Sequence, residues 1–256
     1  MNFLGSHLLS VDQLSRDDLA HLSEVARKLQ PVARREKMTR VLEGAVLASL
    51  FLEASTRTRL SFGAAFSRLG GSVLETVGLT FSSMAKGESI ADTARVISGY
   101  ADILAVRHPE AGSVAQFSQT SLVPVINAGD GAAEHPTQAL LDIFTIEEEF
   151  AQRSRPVDGA HVLFVGDLKY GRTVHSLMKL LTLYRNMTFT LLAPEMLSMP
   201  DDVVGLAESR GHRVYPITRL PDETMEVDVI YTTRIQRERL QGEQIEGYSH
   251  DYHVNR

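Results

Sequence analysis

The sequence has no cysteine among its 256 residues. Disulfide bonds and thiolate zinc sites are therefore excluded. It also lacks any run of about 18 apolar residues, the length that a membrane-spanning helix needs. Its N-terminus does not have the charged-then-apolar pattern of a signal peptide. We therefore expect a soluble, cytoplasmic protein without a membrane partner.

An excess of positive charge is also missing. The 26 Lys and Arg residues are outnumbered by 32 Asp and Glu residues, which gives a formal net charge of −6. Nucleic-acid-binding domains are usually basic, so this balance argues against a nucleic-acid partner. A local anion pocket stays compatible with it. Hydrophobic residues make up 43% of the chain, enough for a packed core.

Strand and helix patterns alternate along the whole chain. The predicted strands are Val46–Leu52, Ser72–Val77, Ile103–Arg107, Pro124–Asn127, His161–Val165, Thr188–Leu192, Arg213–Pro216 and Asp228–Thr232. The main helices between them are predicted at Thr58–Leu69, Ser89–Ala101, Gly112–Gln119, Pro136–Ala151, Thr173–Tyr184 and Pro200–Ser209. This alternation predicts an α/β protein with doubly wound parallel sheets that are covered on both faces.

The length and a polar linker at 152–159 indicate two domains. We predict a first domain at 1–150, which includes a linking helix at 135–150, and a second domain at 151–256. In open α/β sheets, ligands bind outside the carboxyl ends of the strands. Nearly every polar motif of this chain follows a predicted strand, so one cleft between the two domains would collect them.

Residues 51–59, which read F-L-E-A-S-T-R-T-R, form the most informative motif. A strand, a polar turn and a helix in this order aim backbone N–H groups at an anion, and the helix dipole adds positive charge. The hydroxyls of Ser55, Thr56 and Thr58 are further donors, and the Arg57 guanidinium matches phosphate oxygens. From these residues alone, an ordinary capped helix with two solvated arginines stays open as an alternative.

Two more cationic motifs follow strands of the first domain. The small-residue loop at 82–88 carries Ser82 and Lys86, and by itself it is typical of a solvated loop. Arg107 ends an apolar strand, where it could bind an anion or pair with a surface carboxylate.

His135 begins the long helix, where the dipole disfavours a protonated imidazole. A neutral imidazole can donate one hydrogen bond to a developing oxyanion, and a simple capping role is the alternative.

Two motifs follow strands of the second domain. Residues 166–173 resemble the first turn of a Rossmann fold but lack G-x-G-x-x-G, so a dinucleotide is weakly supported. Arg234 and Gln236 open a charge run that could also be the solvated start of a helix.

Taken together, these motifs resemble the aspartate and ornithine carbamoyltransferases, whose carbamoyl-phosphate-binding motif reads F-x-E-x-S-T-R-T-R. Residues 166–177, G-D-L-K-Y-G-R-T-V-H-S-L, are similar to the aspartate-specific branch of that family. The resemblance covers almost the full chain in the family's order. It implies transfer of the carbamoyl group from carbamoyl phosphate to the amine of L-aspartate, the committed step of pyrimidine synthesis. It calls for no metal or organic cofactor.

The resemblance also implies a role for each site residue. Carbamoyl phosphate would contact Ser55, Thr56, Arg57, Thr58, Arg107, His135 and Gln138, of which Arg57, Thr58, Arg107 and His135 would be catalytic. Ser82 and Lys86 would reach in trans into the site of a neighbouring subunit. Aspartate would contact Lys86, Arg172, Arg234 and Gln236.

Arg172 and Arg234 would together hold a dicarboxylate and repel the ammonium of ornithine. The expected assembly is a homotrimer, with regulatory chains or another enzyme of pyrimidine synthesis as possible further partners.

The sequence departs from the family in two places. Gly63 stands where the family's motif usually has Glu. The sequence also stops at Arg256, without the strand, the H-P-L-P-R turn and the terminal helix that the resemblance implies. We therefore expect an incomplete second domain, in either a shortened chain or a degenerate relative. The alternative function is an inactive paralogue that serves as a scaffold for a partner enzyme, whereas Arg234 with Gln236 argues against an ornithine carbamoyltransferase.

Overall fold

Apolar segments of five or six residues form parallel strands, and the amphipathic segments between them form the covering helices. The computed structural model of the chain describes residues 1–78, 82–131, 133–221 and 224–236. The strands are β1 (Val46–Phe51), β2 (Ser72–Val77), β3 (Ile103–His108), β4 (Val125–Asp130), β5 (His161–Gly166), β6 (Thr188–Leu192), β7 (Arg213–Ile217) and β8 (Val229–Thr233). The α-helices are α1 (Arg16–Ala33), α2 (Arg57–Arg68), α3 (Ile90–Ser98), α4 (Ser113–Thr120), α5 (Pro136–Gln152), α6 (Arg172–Leu181) and α7 (Asp201–Ser209).

The first compact unit runs from Met1 to Thr137. Its four parallel strands are ordered β2-β1-β3-β4. The central strands β1 and β3 are almost fully buried, and Phe117 of α4 is fully buried in the core cluster beside them. This packing fixes β1, β3 and the neighbouring edge strand β4, from whose ends the polar motifs extend.

The second unit starts at Gln138 and contains a separate parallel sheet ordered β7-β6-β5-β8. Every residue of β6 is buried, and α6 buries seven residues. Rings of Phe164 and Phe189 lie 6.3 Å apart on neighbouring strands of this sheet. The second sheet therefore has a dense core of its own.

The prediction of two doubly wound parallel sheets is confirmed. Each predicted strand and helix is present, with bounds that shift by three residues at most. The division into 1–150 and 151–256 stays a prediction, because α5 spans both that boundary and the start of the second unit. The end of the predicted second domain, 237–256, lies outside the described residues. No helix in the described part of the chain is long and apolar enough to cross a membrane.

Candidate functional site

The strand order of the first sheet brings three predicted motifs to one edge. β3 lies between β1 and β4, and all three run parallel, so their carboxyl ends meet on the same side of the unit. Phe51 pairs with Arg107, and His108 pairs with Asp130. The turn after β1, Arg107 at the end of β3 and the segment after β4 that leads to His135 therefore leave the sheet at one edge.

The turn after β1 enters α2 without a side-chain cap. Thr56 occupies the N-cap position with φ −84° and ψ −54°, and its side chain makes no capping hydrogen bond. The first-turn N–H groups of a helix have no intrahelical partners, so they point out of the helix start. Arg57 is exposed at the first position, whereas Arg59 turns its guanidinium to within 3.9 Å of Glu75. The two arginines of the motif therefore face different surroundings.

Arg107 is held at the sheet edge by an ion pair. Its Nη2 lies 2.7 Å from Oε2 of Glu53, and the two side chains are 12% and 29% exposed. The stem of Arg107 passes so close to Gly129 that a Cβ there would be 3.4 Å from its Cγ. Glu53, the acidic residue of the F-x-E-x-S-T-R-T-R motif, thus orients the guanidinium beside the turn.

His135 is buried directly before α5, with 6% of its surface exposed. Its Nδ1 lies 3.5 Å from the hydroxyl of Thr137. The preceding Glu134 is tied to the N-terminal segment, because its carboxylate accepts from the Ser10 hydroxyl at 3.0 Å and from the Val11 N–H at 2.9 Å. These contacts fix the backbone on which the imidazole stands.

The loop predicted to act in trans follows the edge strand β2. Ser82 is half-buried, and a short 3-10 helix at Ser83–Lys86 leaves the side chain of Lys86 exposed. Gly87 ends this helix with φ +96°, as expected for a glycine in a left-handed turn.

In the second unit, one buried carboxylate joins the two segments predicted to bind aspartate. Asp167 is 0% exposed, and its Oδ1 accepts from the N–H of Tyr170 at 2.9 Å. Its Oδ2 accepts from the N–H of Gln236 at 3.0 Å. The segment that leads into Arg172 is therefore fixed to the segment that carries Arg234.

The two predicted aspartate-binding arginines differ in burial. Arg172 is the first residue of α6 and is 9% exposed. Arg234 is exposed one residue beyond β8, and its Nη1 donates to the carbonyl of Ile235 at 3.2 Å. Their strands β5 and β8 are paired in parallel as far as Gly166 and Thr233, so both segments leave the second sheet at the same edge.

Gln138, at the start of the second unit, belongs to a hydrogen-bonded network. Its Nε2 donates to Asp142, which also accepts from the hydroxyl of Tyr231. Burial raises the pKa of Asp142, although both hydrogen bonds oppose that shift. The pKa of Tyr231 is raised as well, chiefly by burial and secondly by the negative charge of Asp142.

Two family models match the chain over almost its whole length. The "Aspartate/ornithine carbamoyltransferase, carbamoyl-P binding domain" matches residues 6–148. The "Aspartate/ornithine carbamoyltransferase, Asp/Orn binding domain" matches residues 158–256. The chain belongs to the aspartate/ornithine carbamoyltransferase family. The resemblance found in the sequence motifs is thereby confirmed.

Individual members of this family are similar in both sequence and fold. The aspartate carbamoyltransferase catalytic subunit of Dichelobacter nodosus is 54% identical over 256 residues, which are 100% of this chain and 74% of that relative. The catalytic subunit of M. jannaschii aspartate transcarbamoylase superposes with a TM-score of 0.84 at 45% identity, over 92% of this chain and 76% of that one. Aspartate transcarbamoylase from Trypanosoma cruzi, solved with carbamoyl phosphate and aspartate, gives 0.83 at 41% identity, over 91% and 77%.

The family's motifs supplied the candidate site residues but not the residues that hold them. These supporting residues are Glu53, Glu134, Asp142, Asp167 and Tyr231. Glu53 and Asp167 lie inside the quoted motifs, so a signal for them existed. The other three make contacts with residues distant in sequence, which only the folded chain brings together.

Proposed function

We propose that this protein transfers the carbamoyl group of carbamoyl phosphate to the α-amine of L-aspartate, which yields N-carbamoyl-L-aspartate and phosphate. The observation that carries the proposal is the sheet edge at which the turn after β1, Arg107 and the segment leading to His135 come together. Donors that converge in this way suit an acyl phosphate, whose carbonyl and phosphate oxygens are adjacent.

The phosphate is assigned to the turn after β1. Ser55, Thr56 and Arg57 donate to its oxygens, and the uncapped N–H groups of α2 add further donors. The carbonyl oxygen is assigned to Thr58, Arg107 and His135, which donate to it as it becomes an oxyanion. A well-placed donor of this kind contributes about 3–4 kcal/mol to the transition state.

The reaction itself needs no covalent enzyme intermediate. The neutral amine of aspartate attacks the carbamoyl carbon and forms a tetrahedral adduct. The bond from that carbon to the phosphate oxygen then breaks, and the departing phosphate accepts the proton that the amine loses. The carboxylates of aspartate are bound by Arg172, Arg234 and Gln236, which thereby orient its amine. Holding the two reactants in the right geometry lowers the barrier of the reaction. Gln138 contacts the carbamoyl amide.

A colorimetric assay for carbamoyl-aspartate tests this function. We expect turnover in the unmodified chain and a loss on the order of 10²–10³-fold in Arg57→Ala, because charge-assisted bonds to the leaving phosphate are removed. Arg68→Ala, at the other end of the same helix, is the matched control and should keep its activity. Full turnover in Arg57→Ala would reject the phosphate pocket, and no turnover in the unmodified chain would favour the scaffold alternative.

We further propose a homotrimer in which Ser82 and Lys86 act in the site of a neighbouring copy. The support is a group of exposed apolar side chains at the edge of the first sheet. They are Leu60 of α2 and, on the two sides of the edge strand β2, Leu74 and Val77, which are 54%, 51% and 43% exposed. An exposed edge strand with apolar side chains is typical of an interaction surface, and the loop that carries Lys86 follows it directly.

Mixing variants tests the shared site. Lys86→Ala and Arg57→Ala chains should each be inactive, and a mixture that is dissociated and reassembled should regain part of the activity. In a mixed trimer, some sites receive both intact residues. Leu74→Glu should lower the mass measured by light scattering, whereas Met38→Glu, at a position that is 94% exposed, should not. A mixture that stays inactive would contradict the assignment in trans.

A cytoplasmic location, regulatory chains and another enzyme of pyrimidine synthesis as partner stay predictions.

A further inference from the structure

Asp142 connects the proposed carbamoyl contact to the interior of the second unit. Gln138 and Asp142 are one turn apart on α5 and share a face of the helix. The Gln138 Nε2 donates to Oδ1 of Asp142 at 3.0 Å, and the Tyr231 hydroxyl donates to Oδ2 at 2.9 Å. Thr173 hydrogen-bonds to Tyr231 in turn. The carboxylate is therefore held from two sides.

A carboxylate can only accept hydrogen bonds, whereas a glutamine side chain has a donor end and an acceptor end. The bond to Asp142 engages the Nε2 end of Gln138. The Oε1 end is then the part of the amide that can meet a ligand. An acceptor there suits the NH₂ group of a carbamoyl moiety, and it finds no donor in the methyl group of an acetyl moiety.

We propose that Asp142 is a positioning residue that selects carbamoyl phosphate over acyl phosphates without an amino group, by fixing which end of the Gln138 amide faces the substrate. The inference rests on the proposed function, since it takes Gln138 as the contact to the carbamoyl amide. Asp142 itself does not touch the substrate.

The surroundings of Asp142 support a role beyond stability. Tyr231 stands in β8 with its ring 5.7 Å from that of Phe164, so the hydroxyl that holds Asp142 is anchored in the sheet. Burial disfavours the charged form of Asp142 and raises its pKa. An amide of the same shape would cost less to bury. A buried carboxylate with a shifted pKa, at a position where an amide would fit, is typical of a functional site.

Asp142→Asn tests the inference, because asparagine has the same shape but also a donor. Its Nδ2 can donate to Oε1 of Gln138 while its Oδ1 still accepts from Tyr231, which turns the Nε2 end of Gln138 towards the substrate. Calorimetry with carbamoyl phosphate and with acetyl phosphate gives the ratio of their dissociation constants. We expect this preference for carbamoyl phosphate to fall about tenfold, the cost of one unmatched hydrogen-bonding group. The melting temperature should stay at or above that of the unmodified protein.

Two further variants make the result decisive. Asp142→Glu keeps an acceptor-only side chain and should keep most of the preference. Glu149→Gln, on the same helix as Asp142 and in an exposed 2.7 Å pair with Arg153, should change nothing. An unchanged ratio in Asp142→Asn, an equal loss in Asp142→Glu, or failure of Asp142→Asn to fold would each overturn the inference. If the unmodified chain bound no carbamoyl phosphate, the proposed function would fail instead.

Discussion

The two units present their candidate site residues in different ways. In the first, helix α2 carries the proposed phosphate motif and buries none of its residues, and every position of β2 is exposed or half-buried. In the second, α6 carries Arg172 and buries seven of its ten residues, and β6 is buried throughout. The proposed phosphate motif thus stands on an open edge, whereas Arg172 is built on a closed core.

This difference shows which contacts hold the candidate site segments of each unit in place. The segments proposed to bind aspartate are held by Asp167 from within their own unit. The segment before α2 is held by the strand that precedes it and by the Glu53–Arg107 pair. The same unit exposes apolar side chains at its sheet edge, a surface that suits contact with a neighbouring copy. Substitutions should therefore affect the second unit through its interior and the first through its surface.

The largest effect is expected for Gly166→Ala, at the junction of β5 and β8. Gly166 has φ +118°, and a Cβ there would lie 2.2 Å from the carbonyl oxygen of Thr233. Backbone strain and the clash should lower the free energy of unfolding by about 2–4 kcal/mol, measured by denaturant titration. Gly205→Ala in α7 is the control, since its Cβ would meet nothing within 4 Å. Equal stability of the two variants would contradict the close approach of β5 and β8.

The next effect is that of Asp167→Ala on the use of aspartate. The change leaves the N–H groups of Tyr170 and Gln236 without their carboxylate acceptor and frees the two segments from one another. A displacement of about 1 Å in a substrate-binding group can cost about 10²-fold in rate. We expect kcat/KM for aspartate to fall by that order while binding of carbamoyl phosphate, measured by calorimetry, changes little. A parallel loss for both substrates would show that Asp167 does not act on the second unit alone.

A smaller effect concerns pH and His175 in α6. Burial lowers the pKa of His175 below its ordinary value of 6.5, and its Nε2 hydrogen-bonds to the carbonyl of Leu168 at 2.6 Å. The unfolded chain then binds a proton more readily than the folded chain, so this contribution to stability is complete above pH 6.5 and is lost as pH falls. Melting temperatures of His175→Gln should decline less on acidification than those of the unmodified protein. The same change at the exposed His21 is the control, and an unaltered acid slope in His175→Gln would refute the argument.

The smallest effect is expected in the open first unit, at Gly63 of α2. A Cβ there would meet only Oε1 of Glu75, at 3.7 Å. Gly63→Ala should stabilise the protein by about 0.5–1 kcal/mol, because alanine restricts the unfolded chain and favours helix. Gly63→Glu should gain less than Gly63→Gln, since its carboxylate would face Glu75. Thermal melts of the three variants, run side by side, rank their stabilities.

The position of Glu75 also offers a physical explanation for the glycine at position 63. The family's motif usually has Glu at that place, and here a carboxylate from β2 stands next to it and pairs with Arg59 at 3.9 Å. A carboxylate near Arg59 is thus present, although it comes from a strand instead of the helix.

The sequence by itself determined the layered architecture and nominated the candidate site residues. Alternating strand and helix patterns depend on local periodicity, and the polar motifs after β1, β3 and β5 are contiguous in the chain, so both can be read without coordinates. Only the tertiary structure decided which groups hold those candidates. The Glu53–Arg107 pair, the bridge from Asp167 to Gln236 and the bond from Tyr231 to Asp142 join residues 54, 69 and 89 positions apart. Hydrogen bonds and ion pairs of such range depend on strand order and register, which no local pattern encodes.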